Sequence, residues 1–248
     1  MRGAQEDAVH EPLALQEIQK ILECPPRLGH GIMYRKTIPD TVWRVLLGLS
    51  SFGSMRSSYL AGGSGLALQL GHRVSVDLDF FFPQGSDYRD VLEELPSLEM
   101  SAIVMGQTSG HCELMIDGVK VDFIRERIPL KHPPNTLTLG DASVTVADPV
   151  DIGRLKLFSI ASRGSKKDFI DLYCVTRAVL PLADLLAEVV EDQKGIRFNR
   201  LLFLKGLVDF EEADREVSPV LLWDLSWVRV KEDLSKEVRQ FAKEWAGG

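Results

Sequence analysis

The sequence has few cysteines, no long apolar run and no excess of positive charge, and each absence excludes a class of protein. The chain has only three cysteines, an odd number, and they are widely spaced: Cys24, Cys112 and Cys174. We therefore expect neither a disulfide framework nor a CxxC zinc site. No apolar segment approaches the roughly 18 residues that a membrane-spanning helix needs. The N-terminal residues MRGAQEDAVHEPLALQ lack the basic and then apolar character of a secretory signal, which predicts a cytoplasmic location.

Charge and length narrow the class further. A formal net charge of −7 argues against a general nucleic-acid coat, although a local basic patch could still hold an RNA or the phosphates of a nucleotide. The chain has 248 residues, 45% of them hydrophobic, and can bury a sizeable core. This size suits one domain with an appended lobe, or two small domains that share an interface.

The first part of the chain mixes helical and strand patterns. Apolar residues at helical spacing predict one helix around residues 13–22 and another around 42–49, with Asp40 or Thr41 as the N-cap of the second. From Tyr59 the pattern predicts a strand, a glycine turn, a short helix and a further strand.

More strands follow, joined by recognisable turns. An Asp117-Gly118 pair between two alternating runs is typical of a tight hairpin that leads into the strand VKVDFI. Residues 25–39 and 127–141 resemble linkers. The other elements of this part are a helix and three strands, predicted over residues 86–95, 98–105, 112–116 and 143–146.

After Asp148 the apolar period is helical. Asp148 as N-cap and Pro149 at the first position predict a helix through Arg163, and Ser165 caps a second helix through Val179. Three more helices are predicted over residues 182–190, 198–208 and 234–245.

These patterns together predict an α+β fold in two parts. Residues 1–147 are expected to form a mixed β-sheet with flanking helices. Residues 148–248 are expected to form a C-terminal α-helical lobe. No internal repeat or low-complexity tract suggests a different organisation.

The segment YLAGGSGLALQLGHRVSVDLDFFF carries the clearest chemistry. Asp77 and Asp79 lie two apart on a predicted strand, so both side chains point to one face, while Val76, Leu78 and Phe80 take the opposite, buried face. Adjacent carboxylates repel each other unless a cation compensates. Mg²⁺ or Mn²⁺ is a natural compensator, because hard cations bind carboxylate and phosphate oxygens together.

The glycines before this strand predict a phosphate site. Gly62 and Gly63 let the backbone turn tightly into a helix, which exposes N–H groups and the Ser64 hydroxyl to a triphosphate. Arg73 lies in the turn before the metal strand and could contact phosphate, although a turn arginine is more often solvated.

A third carboxylate is expected to complete the site. Asp122 faces away from its apolar neighbours in VKVDFI, on the same face as Lys120. If this hairpin lies beside the strand of Asp77 and Asp79, three acids converge and can hold two metal ions. Asp122 is then the best candidate for a general base.

A glycine pair, a short helix and a DxD strand make up a signature that resembles the polymerase-β-like nucleotidyltransferases. The fuller string GGSGLALQLGHRVSVDLDFF, with KLFSIASRGSKKDFIDLY downstream, resembles the AbiEii/AbiGii-type toxin family, which is tied to phage abortive infection and toxin–antitoxin systems. The resemblance covers about residues 45–180. Ser64 and Gly65 stand where this family usually has the Thr and Ala of GGTALAL, and a serine keeps the hydroxyl.

The resemblance also implies roles for individual residues. It implies that Gly63 and Ser64 contact the nucleotide phosphates. Asp77 and Asp79 match its metal ligands. The downstream functional positions of the family match Lys156 and Asp168, with Asp171 close behind.

The helical residues allow a partly independent interpretation. Lys156, Ser159 and Arg163 form one polar stripe that could face a triphosphate, although a solvated helix face explains it equally well. Asp168 and Asp171 could orient Lys156 or receive the base or ribose. Asp168 could also be a favourable acid in the first turn of a helix.

The predicted function is therefore a metal-dependent transfer of a nucleoside monophosphate from a nucleoside triphosphate to a hydroxyl acceptor. The family link suggests tRNA or another RNA as acceptor, growth arrest as the result, and a cognate antitoxin as partner. Two alternatives stay open: a non-catalytic nucleotide-binding regulator, and a nucleotidyltransferase that modifies a small molecule or a protein.

Overall fold

The computed structural model describes residues 33–192 and 199–246. The helix predicted around residues 13–22 lies outside these ranges. The described residues form seven strands: β1 Tyr59–Leu60, β2 Leu78–Phe82, β3 Ala102–Gln107, β4 His111–Ile116, β5 Val119–Arg125, β6 Asn135–Leu139 and β7 Ala142–Val146. They make one mixed sheet in the order β3-β4-β5-β2-β1-β7-β6. The predicted α+β fold with a mixed sheet is confirmed.

Helices flank this sheet and continue to the C-terminal end of the described chain. They are α1 Asp40–Ser50, α2 Gly62–Leu70, α3 Arg89–Glu94, α4 Pro149–Arg163, α5 Lys166–Ala178, α6 Leu182–Asp192, α7 Arg200–Gly206, α8 Glu211–Arg215 and α9 Trp227–Ala246. Three short 3₁₀ turns lie at Arg35–Thr37, Ser54–Ser57 and Leu95–Ser97. None of the helices in the described ranges is long and apolar enough to cross a membrane.

The central strands β2 and β5 are parallel and pair Asp79 directly with Asp122. Side chains alternate along β2, so Leu78 and Phe80 are buried in the core while Asp79 points to the other face. Val76, predicted to be buried as well, is 54% exposed. The strand begins only at Leu78, and the alternation does not extend back to Val76.

The hairpin turn was predicted correctly, and one strand was missed. Asp117 and Gly118 both have positive φ angles, 45° and 79°, as the tightest hairpin turns require. The predicted linker 127–141 contains β6, which pairs antiparallel with β7. Only Leu137 and Leu139 of β6 are buried, so its apolar alternation is too short to detect in the sequence.

Helix caps decide where α4 and α5 begin. The Asp148 carboxylate accepts a hydrogen bond from the Val150 N–H at 2.8 Å, as predicted. Ser165 and Asp168 form a capping box at the start of α5. The expected cap of α1 is wrong, because Pro39 is the N-cap, and Asp40 instead pairs with Arg35 at 2.5 Å.

Two hydrophobic clusters hold the elements together. One lies between the sheet and α1 and includes Leu46, Phe80 and Phe123. The other joins Leu66 of α2 to Phe169 of α5 and to the later helices. This second cluster therefore contains residues from both sides of the predicted boundary between 147 and 148, and that division stays a prediction.

The role of Asp148 as the N-cap of α4 can be tested directly. Asp148→Ala should lower the free energy of unfolding by about 1 kcal/mol, because the Val150 N–H loses its acceptor. Asp148→Asn keeps an acceptor oxygen and should stay close to the parent protein. Urea denaturation of the three proteins measures the difference, and equal losses for Ala and Asn would contradict the capping role.

Candidate active site

A cavity of about 260 Å³ opens between the start of α2, strand β2 and the helices α4 and α5. Three cations and three carboxylates line it: Arg73, Lys156, Lys167, Asp77, Asp79 and Asp168. Its other polar or glycine positions are Gly62, Gly63, Ser75 and Ser159. The structure thus brings together seven of the residues that the sequence singled out as site residues: Gly62, Gly63, Arg73, Asp77, Asp79, Lys156 and Asp168.

The two glycines are required by the close approach of charged side chains. Gly62 has a φ of 58°, and a Cβ on it would overlap the carboxylate of Asp79. A Cβ on Gly63 would overlap the guanidinium of Arg73. The backbone at the start of α2 therefore lies directly against one carboxylate and one cation of the cavity.

Ser64 differs from the sequence-based expectation. Its side chain is fully buried, and its hydroxyl donates a hydrogen bond to the backbone carbonyl of Asp77. Ser64 does not line the cavity, so its hydroxyl is not placed to contact phosphate. Its structural effect is to hold the segment that carries Asp77 against the start of α2.

The carboxylates of Asp77 and Asp79 experience different surroundings. The Asp77 side chain is 33% exposed, and its Oδ2 lies 3.3 Å from Lys167 Nζ. Burial raises the pKa of Asp79 from 3.8 to about 6; Lys156 opposes this shift, while Asp122 and Asp77 add to it. Asp79 is thus a carboxylate whose negative charge is only partly compensated.

Asp122 does not join the other two acids as predicted. Although it pairs with Asp79 in the sheet register, its carboxylate lies 2.5 Å from His111 Nε2 and 3.4 Å from Lys120 Nζ. It does not line the cavity. In the described ranges no group of three or more His, Cys, Asp or Glu residues is arranged to hold a metal ion. The Asp122 side chain is therefore paired outside the cavity, and its role as a third metal ligand stays a prediction.

Asp171 is the centre of a buried ion-pair network. Its carboxylate is fully buried. Oδ1 accepts a hydrogen bond from Arg73 Nε at 2.6 Å and lies 2.8 Å from His72 Nε2. Oδ2 accepts a hydrogen bond from Arg73 Nη2 at 2.9 Å and lies 2.8 Å from Lys156 Nζ. Burial alone would raise the pKa of Asp171, but Lys156 and Arg73 outweigh it and hold the pKa well below 3.8.

This network corrects the role expected for Asp171. Its oxygens are already occupied and it does not line the cavity, so a base or ribose has no access to it. Of the two expectations, the structure agrees with the one in which Asp171 orients Lys156. It also holds Arg73, which is buried rather than solvated.

Lys156 is held from both sides. Its ammonium lies 2.6 Å from Asp168 Oδ1 and 2.8 Å from Asp171 Oδ2. Burial would lower the pKa of Lys156, but the two carboxylates outweigh it and raise the pKa. Asp168 serves both predicted purposes, since it closes the capping box of α5 and binds Lys156.

The polar stripe on α4 reaches the cavity only in part. Lys156 and Ser159 line it, whereas Arg163 is exposed at the last position of α4 and does not, so its expected contact with nucleotide is not supported. Lys167 and Ser75 also line the cavity, although no sequence pattern singled them out. The Lys-Lys-Asp string around Asp168 was the available signal for Lys167.

The chain is similar in sequence to a known protein family. A family model described as the nucleotidyl transferase AbiEii toxin of type IV toxin–antitoxin systems matches residues 44–246. An uncharacterised protein of Aquifex aeolicus (strain VF5) is 32% identical over 194 residues, which are 77% of this chain and 91% of that protein.

Solved structures share the fold at low sequence identity. The nucleotidyltransferase toxin MenT4 of Mycobacterium tuberculosis H37Rv is 17% identical with a TM-score of 0.54, covering 81% of this chain and 82% of that chain. JHP933 from Helicobacter pylori is 15% identical with a TM-score of 0.53, covering 85% and 93%. These likenesses concern the fold, and the family follows from the match over residues 44–246: the chain belongs to the AbiEii family of nucleotidyl transferase toxins.

Proposed function

We propose that this chain is a divalent-metal-dependent enzyme that transfers a nucleoside monophosphate from a nucleoside triphosphate to a hydroxyl group of an RNA. The observation that carries the proposal is one cavity lined by Asp77, Asp79, the start of α2 and the fixed Lys156. Membership of a nucleotidyl transferase family supports the reaction class. The family's place in type IV toxin–antitoxin systems supports a cognate antitoxin.

A pair of carboxylates fits Mg²⁺ or Mn²⁺ when the substrate supplies the remaining ligands. Mg²⁺ is usually bound by one or two carboxylates together with substrate phosphates, so a cluster of three protein ligands is not required. The raised pKa of Asp79 indicates that its charge lacks full compensation. A divalent ion held by Asp77 and Asp79 would supply that compensation and neutralise charge on the triphosphate.

The start of α2 is suited to hold the phosphates. Gly62 and Gly63 line the cavity at the N-terminus of a nine-residue helix, where backbone N–H groups and the helix dipole favour anions. Any side chain at these glycines would collide with Asp79 or Arg73 and fill the space. Arg73 lines the same wall and adds positive charge.

Lys156 is placed to stabilise charge that develops during transfer. Phosphoryl-group transfer depends mainly on positioning and on electrostatic stabilisation of the reacting phosphate and the leaving pyrophosphate. Asp168 and Asp171 keep Lys156 protonated and fixed, so it needs no reorganisation when the substrate reacts. Asp171 acts as a positioning residue, since it is out of contact with the cavity.

Loss of the metal pair should abolish the reaction without unfolding the protein. Asp79→Asn should reduce transfer by at least about a hundredfold, because the proposed metal loses one of its two carboxylate ligands. The measurement incubates the protein with each α-labelled nucleoside triphosphate, Mg²⁺ and total RNA, and follows both the label and pyrophosphate. The matched control is Asp90→Asn, an exposed aspartate of α3 outside the cavity, which should keep full activity.

Two results would contradict this proposal. One is an Asp79→Asn protein that transfers label as fast as the parent. The other is a parent that binds nucleotide with Mg²⁺ and releases no pyrophosphate with any of the four nucleotides, which would favour a non-catalytic regulator. Label found on a protein or on a small molecule would contradict RNA as the acceptor, but it would not contradict the proposed metal site.

The raised pKa of Asp79 predicts a stability gain in the same variant. A folded-state pKa of about 6, against 3.8, means that the folded protein binds more protons between these values, so the metal-free parent loses stability as pH rises from about 4 to 6. Asp79→Asn removes this loss of stability, because asparagine does not ionise. With EDTA at pH 8 we expect it to be about 1–3 kcal/mol more stable than the parent, with no difference near pH 4.

Chemical denaturation across this pH range measures the effect. Mg²⁺ should stabilise the parent and leave Asp79→Asn nearly unchanged, because ligand binding to the folded state raises stability. An Asp79→Asn protein that is less stable than the metal-free parent at pH 8 would show that the Asp79 charge is already compensated.

A further inference from the structure

Lys167 is a cation at the cavity for which the proposed reaction gives no role. It is the second residue of α5, half of its side chain is exposed, and its ammonium lies 3.3 Å from Asp77 Oδ2. Both residues line the cavity. Exposed ion pairs of this kind are weak and open readily, so this contact does not fix Lys167 in place.

The other two cations of the cavity are held much more firmly. Lys156 is buried between Asp168 and Asp171, and the guanidinium of Arg73 donates two hydrogen bonds to Asp171. Buried side chains with several charged hydrogen bonds keep one position. Among the described residues, Lys167 is therefore the cavity cation that is free to change partner.

A metal ion and the Lys167 ammonium compete for the same carboxylate. The proposed function places a divalent cation on Asp77 and Asp79, and Asp77 is the partner of Lys167 in the metal-free protein. Two cations that share one carboxylate repel each other, so a bound metal would displace the more weakly held ammonium. The ammonium would then lie at the edge of the cavity without its counter-ion.

An anionic ligand in the cavity supplies the missing partner. Arg73 and Lys156 keep Asp171 and Asp168 as their ion-pair partners whether or not a metal is bound. Lys167 would lose its carboxylate if a metal occupied Asp77, and its charge would then be available to an anion. The phosphates at the start of α2 would lie in the same cavity, within the space that Lys167 lines.

We propose that Lys167 is a mobile phosphate-binding residue, which pairs with Asp77 in the metal-free protein and with a phosphate oxygen of the nucleotide once the metal is bound. This inference rests on the proposed function, because it requires a metal on Asp77. It predicts two effects of opposite sign for one substitution. An ordinary surface ion pair without a binding role predicts no weakening of phosphate binding.

Lys167→Met separates these cases, since it keeps the length of the side chain and removes its charge. Without nucleotide, Mn²⁺ should bind about 2–5-fold more tightly, because the competing ammonium is gone. With Mg²⁺ present, inorganic tripolyphosphate should bind about tenfold more weakly, because a charge-assisted hydrogen bond is lost. Isothermal titration calorimetry on the full chain measures both affinities.

Arg163→Met is the matched control, because Arg163 is exposed at the end of α4 and does not line the cavity. It removes the same charge and therefore reports the long-range effect of net charge. Equal changes in the Lys167 and Arg163 variants would overturn the inference, as would unchanged tripolyphosphate binding in Lys167→Met. If the parent binds neither Mn²⁺ nor tripolyphosphate, the proposed function fails as well.

Discussion

The cavity depends on one buried carboxylate. Asp171 of α5 binds Lys156 from α4 and both His72 and Arg73 from the loop after α2, and so joins that loop to the two helices. A buried charge is tolerated only when it is paired and hydrogen-bonded, and here two cations and one anion satisfy each other with the help of Asp168. Removal of Asp171 would leave the buried Arg73 without its carboxylate and Lys156 with Asp168 as its remaining carboxylate partner, which makes the network a condition for the fold as well as for the site.

This network divides the cavity into a fixed side and an adaptable side. The fixed side consists of Lys156 and Arg73, whose positions are set during folding. The adaptable side consists of Asp77, Asp79 and Lys167, where the charge of Asp79 is poorly compensated and Lys167 is weakly held. Electrostatic catalysis requires the first property and ligand binding benefits from the second. The raised pKa of Asp79 lowers stability at neutral pH, and under the proposed function a metal and a nucleotide bound at this position would restore it.

Local patterns predicted much of the fold and several of the residues that line the cavity. The caps at Asp148 and Ser165, the Asp117-Gly118 turn and the alternation around Asp79 are all set by residues a few positions apart. The failures lie elsewhere. Asp171 meets Arg73 across 98 positions, and Asp122 turns toward His111 on a neighbouring strand. No periodicity shows which partner a charged side chain will find across such a distance, so the expected cluster of three acids could not be checked in the sequence.

The departure from the family pattern GGTALAL has a structural reason. A Cβ at Gly65 would lie 3.2 Å from the Leu60 carbonyl oxygen and 3.3 Å from Val146 Cγ1, which is tighter than ordinary van der Waals contact. The glycine therefore lets α2 pack closely on β1 and β7. Ser64 also has a packing role, because its fully buried hydroxyl donates its hydrogen bond to the Asp77 backbone carbonyl. Close packing of α2 and the position of Asp77 are thus coupled through two adjacent small residues.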